Sequence, residues 1–160
     1  MTFDNQKTTI RIFLNKMILA IIAAVAIVAI LATPWFHPEL LGITKYQWIL
    51  IVAGAYLLLV VISWIRNLNY FYFDDTGDKI IIRYYPIRPL GRKKKAVQIP
   101  KISFAGFEIR KTALGIKKIL ILKQHVKRTV ANYPPISITA LTKQELAMLE
   151  KQLSIYVRKK

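Results

Sequence analysis

Charged residues are missing from two long apolar stretches in the first half of the chain. Residues 17–36 and 46–65 contain no Lys, Arg, Asp or Glu. An α-helix rises about 1.5 Å per residue, so about 20 residues cross a hydrocarbon layer roughly 30 Å thick while pairing every backbone N–H and C=O internally. The pattern predicts two membrane-spanning helices, joined by a short connection into a transmembrane hairpin.

Basic residues flank the two predicted spans unequally. Three basic residues precede the first span and a long basic segment begins at Arg66, whereas the connection holds only Lys45. Cytoplasmic flanks are enriched in Lys and Arg, so we expect a multi-pass protein with both termini in the cytoplasm. The alternative is a cleaved signal peptide over residues 1–32. It is disfavoured because the first apolar run exceeds the roughly 7 to 15 residues of a signal-peptide core.

From residue 69 onward the pattern changes to short β-branched and aromatic runs separated by turn residues. The clearest turn is DDTGD at 74–78, where we expect Gly77 to supply the positive φ of a tight hairpin. The predicted strands are residues 69–74, 79–85, 96–100, 102–110, 117–126, 128–133 and 136–138. Turn signals about 8 to 12 residues apart are typical of an antiparallel sandwich or barrel.

The last element has the periodicity of a helix. Thr142 and Glu145 match a capping box, in which each side chain bonds the backbone N–H of the other residue. Five apolar residues then recur on one side of about four turns. They are Leu146, Leu149, Leu153, Tyr156 and Val157. The pattern predicts an amphipathic helix that packs its apolar stripe on the strands.

This arrangement resembles the bacterial membrane-anchored pleckstrin-homology-like (PH-like) family over residues 69–157. The segments that carry the resemblance are VQIPKISFAGFEIRKTALG at 97–115 and PPISITALTKQEL at 134–146. It implies an α+β fold, in which the transmembrane hairpin precedes a PH-like antiparallel β-sandwich or barrel capped by a C-terminal α-helix. The family implies the bacterial cytoplasmic (inner) membrane as the location. The expected parts are a cytoplasmic N-terminal segment (1–16), the hairpin (17–66) and a cytoplasmic PH-like domain (67–160).

Positive charge is concentrated after the second span. Residues 66–160 contain 21 of the 25 Lys and Arg and six of the eight acids, a net charge of +15 out of +17. The densest cluster is one loop, and basic residues on later strands can adjoin it. The candidate lipid- or partner-binding residues are Arg88, Arg92, Lys93, Lys94, Lys95, Lys101, Arg110, Lys111, Lys117 and Lys118. Three interpretations stay open: a solvated loop that sets topology, a contact with anionic membrane lipid, worth about 1 kcal/mol per basic residue, or a contact with an acidic protein.

Two partner classes are disfavoured. Phosphoinositide-binding PH domains carry Lys and Arg in their first hairpin, whereas this hairpin carries Asp74, Asp75 and Asp78, which would repel phosphate. Nucleic acid is not expected as a partner, because the membrane tether holds the basic loop near the bilayer. In addition, no aromatic residue interleaves the loop to stack on bases.

Residue types that carry catalysis are scarce. The chain has no Cys and only two His, His37 and His125, which the predicted topology puts on opposite sides of the membrane. No His pair can therefore bind a metal or form a dyad within one chain. His125 is expected to face solvent from a strand. Nucleotide-binding, metalloprotease and serine-hydrolase motifs are missing, so we expect a non-catalytic protein without metal or cofactor.

Three functional hypotheses follow. The first is an accessory or scaffolding subunit of a larger membrane complex, which binds other integral membrane subunits and uses the PH-like domain as an interaction module. The second is a lipid-binding module that recognises anionic lipid through its basic loop. The third is a membrane enzyme whose active site is completed by a partner.

Overall fold

Two long apolar helices occupy the first part of the chain, which is represented by a computed structural model that describes residues 1–33, 42–87, 93–112 and 115–157. They are α1 (Gln6–Ala32) and α2 (Lys45–Arg66). Both are long and apolar enough to cross a membrane. Within these two helices only Ile30 is buried, and most of the other apolar side chains are exposed while the rest are half-buried.

The boundaries of α2 agree with the predicted span, whereas the start of α1 does not. α2 differs by one residue at each end from the prediction of 46–65. α1 begins well before residue 17, and an Asp4 carboxylate oxygen accepts the N–H of its first residue, Gln6, at 3.2 Å. The predicted end of the first span, after residue 33, lies outside the described residues.

The remaining elements form a compact unit of their own, composed of Met1–Ile10 and Ile65–Lys160, while Arg11–Trp64 forms the other unit. The described strands are β1 (Thr2–Asp4), β2 (Asn69–Asp74), β3 (Lys79–Pro86), β4 (Lys95–Pro100), β5 (Phe104–Thr112), β6 (Lys117–Val126), β7 (Thr129–Asn132) and β8 (Ile136–Ser137). They form two antiparallel sheets. The first has the order β1-β2-β3-β4, and in the second β6 pairs with β5, β7 and β8.

β5 is the strand whose boundaries depart most from the prediction of 102–110. Lys101–Ser103 forms a 3-10 turn instead of extended chain. In this turn the Ser103 hydroxyl donates to the Pro100 carbonyl at 3.0 Å, and Lys101 N donates to the Asp78 carbonyl at 2.9 Å. These bonds delay the start of the strand by two residues.

The β2–β3 hairpin is present, but the expectation of a positive φ at Gly77 is wrong. Positive φ values among the described glycines occur only at Gly42, Gly106 and Gly115. The turn is held by Asp74 instead, whose Oδ1 accepts the backbone N–H of Thr76 at 3.0 Å and its hydroxyl at 2.7 Å. Four residues between the strands are enough to close the chain without a left-handed residue.

No sequence pattern predicted β1, which adds an edge strand to the first sheet. Phe3 pairs with Phe73 in the ladder, and the two ring centroids lie 5.5 Å apart. The residues before α1 therefore belong to the same sheet as those that follow α2.

The core lies between the two sheets and is closed by α3 (Lys143–Tyr156). The capping box is formed, with Thr142 Oγ1 accepting from Glu145 N at 3.2 Å and the Glu145 carboxylate accepting from Thr142 N at 2.7 Å. Leu149 and Leu153 are fully buried. The rest of the predicted stripe packs against the core, so the prediction of an amphipathic helix is confirmed.

The domain has two distinct ends along its strands. At the helix-proximal end β1 finishes at Asp4 and the chain enters α1, β2 starts three residues after α2, and β3 finishes at Pro86. The second sheet reaches the same end, because Asn69 Nδ2 donates to the Ser137 carbonyl at 3.4 Å. The hairpin at 74–78 marks the opposite, distal end.

Candidate functional site

A cleft of about 480 Å³ opens on the first sheet near the helix-proximal end. Four tyrosines and three basic residues make up most of its lining. The lining residues are Tyr70, Tyr72, Arg83, Tyr84, Tyr85, Lys94, Lys95 and Ala96. We call this surface the tyrosine cleft. Its volume lies within the range of small-molecule sites, roughly 300 to 1,000 Å³.

The alternation of β2 explains why tyrosines reach this surface. Side chains on a strand point to opposite faces in turn. Phe71 and Phe73 are fully buried in the core, whereas Tyr70 and Tyr72, which alternate with them along the strand, are half-buried. Hydroxyl-bearing rings therefore occupy the outer face and plain phenyl rings the inner one.

The register between β2 and β3 then sets these tyrosines beside their partners. Tyr70 lies opposite Tyr85, and their rings stack with centroids 4.6 Å apart and an interplanar angle of 22°. Tyr72 lies opposite Arg83, whose guanidinium carbon is 5.6 Å from the ring centroid. This distance is within the range of a cation–π contact, so the cationic group is held over an aromatic face.

Two of the cleft tyrosines have raised pKa values. Burial, with the neighbouring carboxylate of Asp4 as a further cause, raises the pKa of Tyr70 to about 12. The Tyr70 hydroxyl donates to Asp4 Oδ2 at 3.1 Å. Burial also raises the pKa of Tyr84 above its ordinary value, because the phenolate would lose hydration there. Both phenols are thus neutral hydrogen-bonding groups at physiological pH.

The predicted basic loop is only partly within the described residues. Arg88 and Arg92 lie outside them. Lys93, Lys94 and Lys95 are exposed, and the last two line the tyrosine cleft. The structure therefore joins the end of the predicted loop to a group of aromatic residues that precede it in the chain.

Lys101 does not join this group, although its position in the sequence favoured that grouping. It follows β4 at the distal end, and the six residues of β4 separate it from Lys95 by about 20 Å. Its ammonium group donates to the Asp75 carbonyl at 2.7 Å and lies 4.8 Å from the ring centroid of Tyr156. These contacts tie the distal hairpin to the C-terminal helix.

Arg110 is also engaged elsewhere, on the second sheet. Its Nε donates to Glu108 at 2.5 Å, and Lys123 Nζ lies 3.2 Å from the other oxygen of the same carboxylate. The hydrogen bond from Arg110, followed by that from Lys123, lowers the pKa of Glu108 below its ordinary value. Part of the positive charge of Arg110 is thus neutralised within the fold.

The other three predicted residues of the second sheet do come together. Lys111 lies directly opposite Lys118, and Lys117 lies opposite Thr112. We call Lys111, Lys117 and Lys118 the basic hairpin. Lys118 N donates to Thr139 Oγ1 at 3.0 Å, and the next residue, Ile119, pairs with Ser137 of β8. Because Ser137 also contacts Asn69 at the start of β2, the basic hairpin belongs to the helix-proximal end. Two like charges directly opposite each other destabilise a sheet, so an anion near this pair would be favourable.

Acidic residues of the distal hairpin serve the fold. Asp74 accepts hydrogen bonds from Thr76, which hold its pKa below the usual value. Asp75 is buried, accepts the Tyr156 hydroxyl at 3.1 Å, and forms an ion pair with the amino group of Met1. The domain therefore has an acidic distal hairpin, while the tyrosine cleft and the basic hairpin lie at the helix-proximal end.

Sequence reasoning missed the tyrosines and Arg83 of the cleft. A signal was present, because in NYFYFD at 69–74 the aromatic residues of one face all carry a hydroxyl group. One ground for disfavouring nucleic acid is also removed, since aromatic rings do accompany Lys94 and Lys95 in space. The expectation that nucleic acid is not a partner then depends on the predicted membrane tether alone.

Metal-binding clusters are absent from the part of the chain that the structure describes. No set of three or more His, Asp or Glu side chains there is close enough to hold a metal ion. His125 is exposed on β6, as expected. Comparison with protein-family models, curated proteins and solved structures found no match, so the resemblance to the PH-like family stays a prediction.

Proposed function

We propose that the protein is a non-catalytic, membrane-anchored interaction module that serves as an accessory or scaffolding subunit of a larger membrane assembly. The observation that supports this best is the pairing of β1 with β2. Through it, the chain enters α1 and returns from α2 at one end of a single domain. Two apolar helices attached there would hold the domain close to the bilayer. The flanking charges favour the cytoplasmic side of a bacterial inner membrane for the domain and both termini.

Other integral membrane subunits are the proposed partners. Both helices expose most of their apolar side chains, and a Cβ added at Gly54 of α2 would meet nothing within 4 Å. Small residues allow close approach of helix backbones in lipid, where apolar burial alone gives little advantage. The surface around Gly54 is therefore suited to a helix of another subunit.

Co-purification tests this proposal. The tagged full-length protein is crosslinked in cells and purified in mild detergent, and integral membrane proteins should be recovered in stoichiometric amounts. Gly54→Leu should reduce this recovery, while Leu57→Met, a volume-conserving change at an exposed site of the same helix, should not. Recovery of a lone, monodisperse protein from crosslinked cells would contradict a subunit role.

The same material tests the orientation. The chain has no Cys, so Thr44→Cys, just before α2, and Thr76→Cys, in the β2–β3 hairpin, each provide a single thiol at an exposed position. An impermeant reagent should label the first variant on intact cells and the second only after permeabilisation. Labelling of the Thr76 variant alone on intact cells would reverse the proposed topology.

A second candidate function is the binding of anionic lipid. The observation that favours it is the separation of charge within the domain, with the basic hairpin and the cations of the tyrosine cleft at the end where the helices attach. Basic groups near an anionic surface contribute about 1 kcal/mol each, and this attraction fades beyond a screening length of about 8 Å. Only the helix-proximal end of the domain would lie within that range.

A further inference from the structure

We infer that the tyrosine cleft is a discrete site for the headgroup of one anionic phospholipid, with the phosphate held by Arg83 and Lys94. This inference rests on the proposed anchoring of the domain at the membrane. It goes beyond general attraction to a charged surface, because it assigns a stoichiometric site to named residues on the first sheet.

The position of the cleft supports a lipid ligand. Tyr70 follows the last residue of α2, Arg66, by four positions. Lys95 pairs with Tyr84, which precedes the end of β3 by two residues, or about 7 Å of strand. A headgroup beside the end of α2 is therefore within reach of the cleft.

Its chemistry supports an anion. Arg83 and Lys94 are exposed, and neither forms an ion pair with any described residue. The guanidinium of Arg83 is positioned over the Tyr72 ring and presents a planar fork of donors that matches phosphate oxygens. A cation that is positioned by an aromatic ring and has no counter-ion among the described residues is suited to an external phosphate.

The tyrosines favour a phospholipid over a small inorganic anion. Neutral phenols combine an apolar ring with a hydrogen-bonding hydroxyl, and such side chains are enriched where hydrocarbon meets water. Four of them line the cleft here. They provide apolar contact for the glycerol region of a lipid, which free phosphate does not have.

The basic hairpin provides a matched control. Arg83→Gln combined with Lys94→Gln removes two positive charges from the cleft, and Lys111→Gln combined with Lys117→Gln removes two from the hairpin. Net charge is equal in the two variants, and the altered side chains are exposed or half-buried, so both proteins should fold. Amide hydrogen exchange of the domain checks this directly.

Native mass spectrometry of the full-length protein in detergent measures the binding. Titration with phosphatidylglycerol should show one saturable adduct, and phosphatidylcholine should bind at least tenfold more weakly. The cleft variant should lose at least tenfold in affinity for phosphatidylglycerol, and the hairpin variant less than threefold. Glycerol phosphate at the same concentration should not displace the lipid.

Several results would overturn the inference. An equal loss in both variants would show diffuse electrostatic attraction, and no saturable adduct with wild type would exclude a discrete site. Displacement by glycerol phosphate at equal concentration would identify a soluble phosphate compound as the ligand. The anchoring itself is tested separately by the cysteine labelling, so a failed lipid site and a failed membrane placement give different results.

Discussion

Asn5 lies where the chain leaves the first sheet for α1, and its replacement by Ala tests how the domain is joined to that helix. Asn5 N donates to the Phe71 carbonyl at 3.1 Å, as a strand residue would. Its side chain then continues the ladder: Oδ1 accepts Phe71 N at 2.8 Å, and Nδ2 donates to the Asn69 carbonyl at 3.2 Å. The amide group thus replaces the strand backbone while the main chain turns into the helix.

The expected cost follows from what Ala leaves behind. Asn5 and Asn69 are buried, and so is Phe71, so water has little access to the N–H and C=O groups that lose their partner. A buried polar group without a partner costs about 1 to 3 kcal/mol, and two of them cost about 2 to 6 kcal/mol. A domain is typically stable by about 5 to 15 kcal/mol, so Asn5→Ala should remove a large part of its stability.

Hydrogen exchange of the full-length protein in detergent measures this cost locally. The Phe71 amide should exchange faster in Asn5→Ala, and protection of the β2–β3 ladder should fall with it. Asn132→Ala, a change at an exposed position of β7, should stay within about 0.5 kcal/mol of wild type. Unchanged protection at Phe71 would show that Asn5 does not complete the sheet.

Two further predictions concern the core and the second sheet. Leu149→Ala should lower the stability by about 2 to 5 kcal/mol, because this side chain is fully buried. The control is Ile155→Ala, at a residue of the same helix that is 63% exposed. Equal melting temperatures of the two variants would refute the packing of α3 on the core. The pKa of the Glu108 carboxyl should lie below its ordinary value, because Arg110 and then Lys123 donate hydrogen bonds to it. The ionised carboxylate therefore stabilises the fold above the unfolded-state pKa, and this contribution is lost as the pH falls through the lower folded-state pKa. Carbon-13 NMR should show the pKa rising in Arg110→Gln, and a constant value would remove Arg110 as the cause.

Local patterns were sufficient for most of the elements. The predicted strand at 117–126 and the capping box of α3 agree with the structure, because alternation, β-branching and capping act over a few residues. β1 left no such pattern, since it has three residues and one apolar side chain. Its pairing partner is about seventy residues away along the chain, so its strand conformation depends on a surface that only the folded sheet provides.

The candidate site shows the same limit more strongly. Proximity in sequence grouped Lys101 with Lys95, yet one strand length separates them, and Lys101 supports the distal hairpin instead. Tyr70 and Arg83 were not grouped with Lys94 because they come from different parts of the chain. Only the pairing of β2 with β3 and of β3 with β4 brings the three residues to one cleft.

Register also explains why composition alone is a poor guide to the function of this domain. Moving β2 by one residue against its neighbours would exchange Phe71 and Tyr70 between core and surface, and the cleft would lose its hydroxyl groups with no change in net charge. The buried phenyl rings of β2 therefore do two things at once. They fix the sheet against the core, and by doing so they fix Tyr70 and Tyr72 on the face that carries Arg83. A variant that weakens this packing should impair lipid binding even where every basic residue is retained, whereas the cleft variant should impair binding in a fully stable domain.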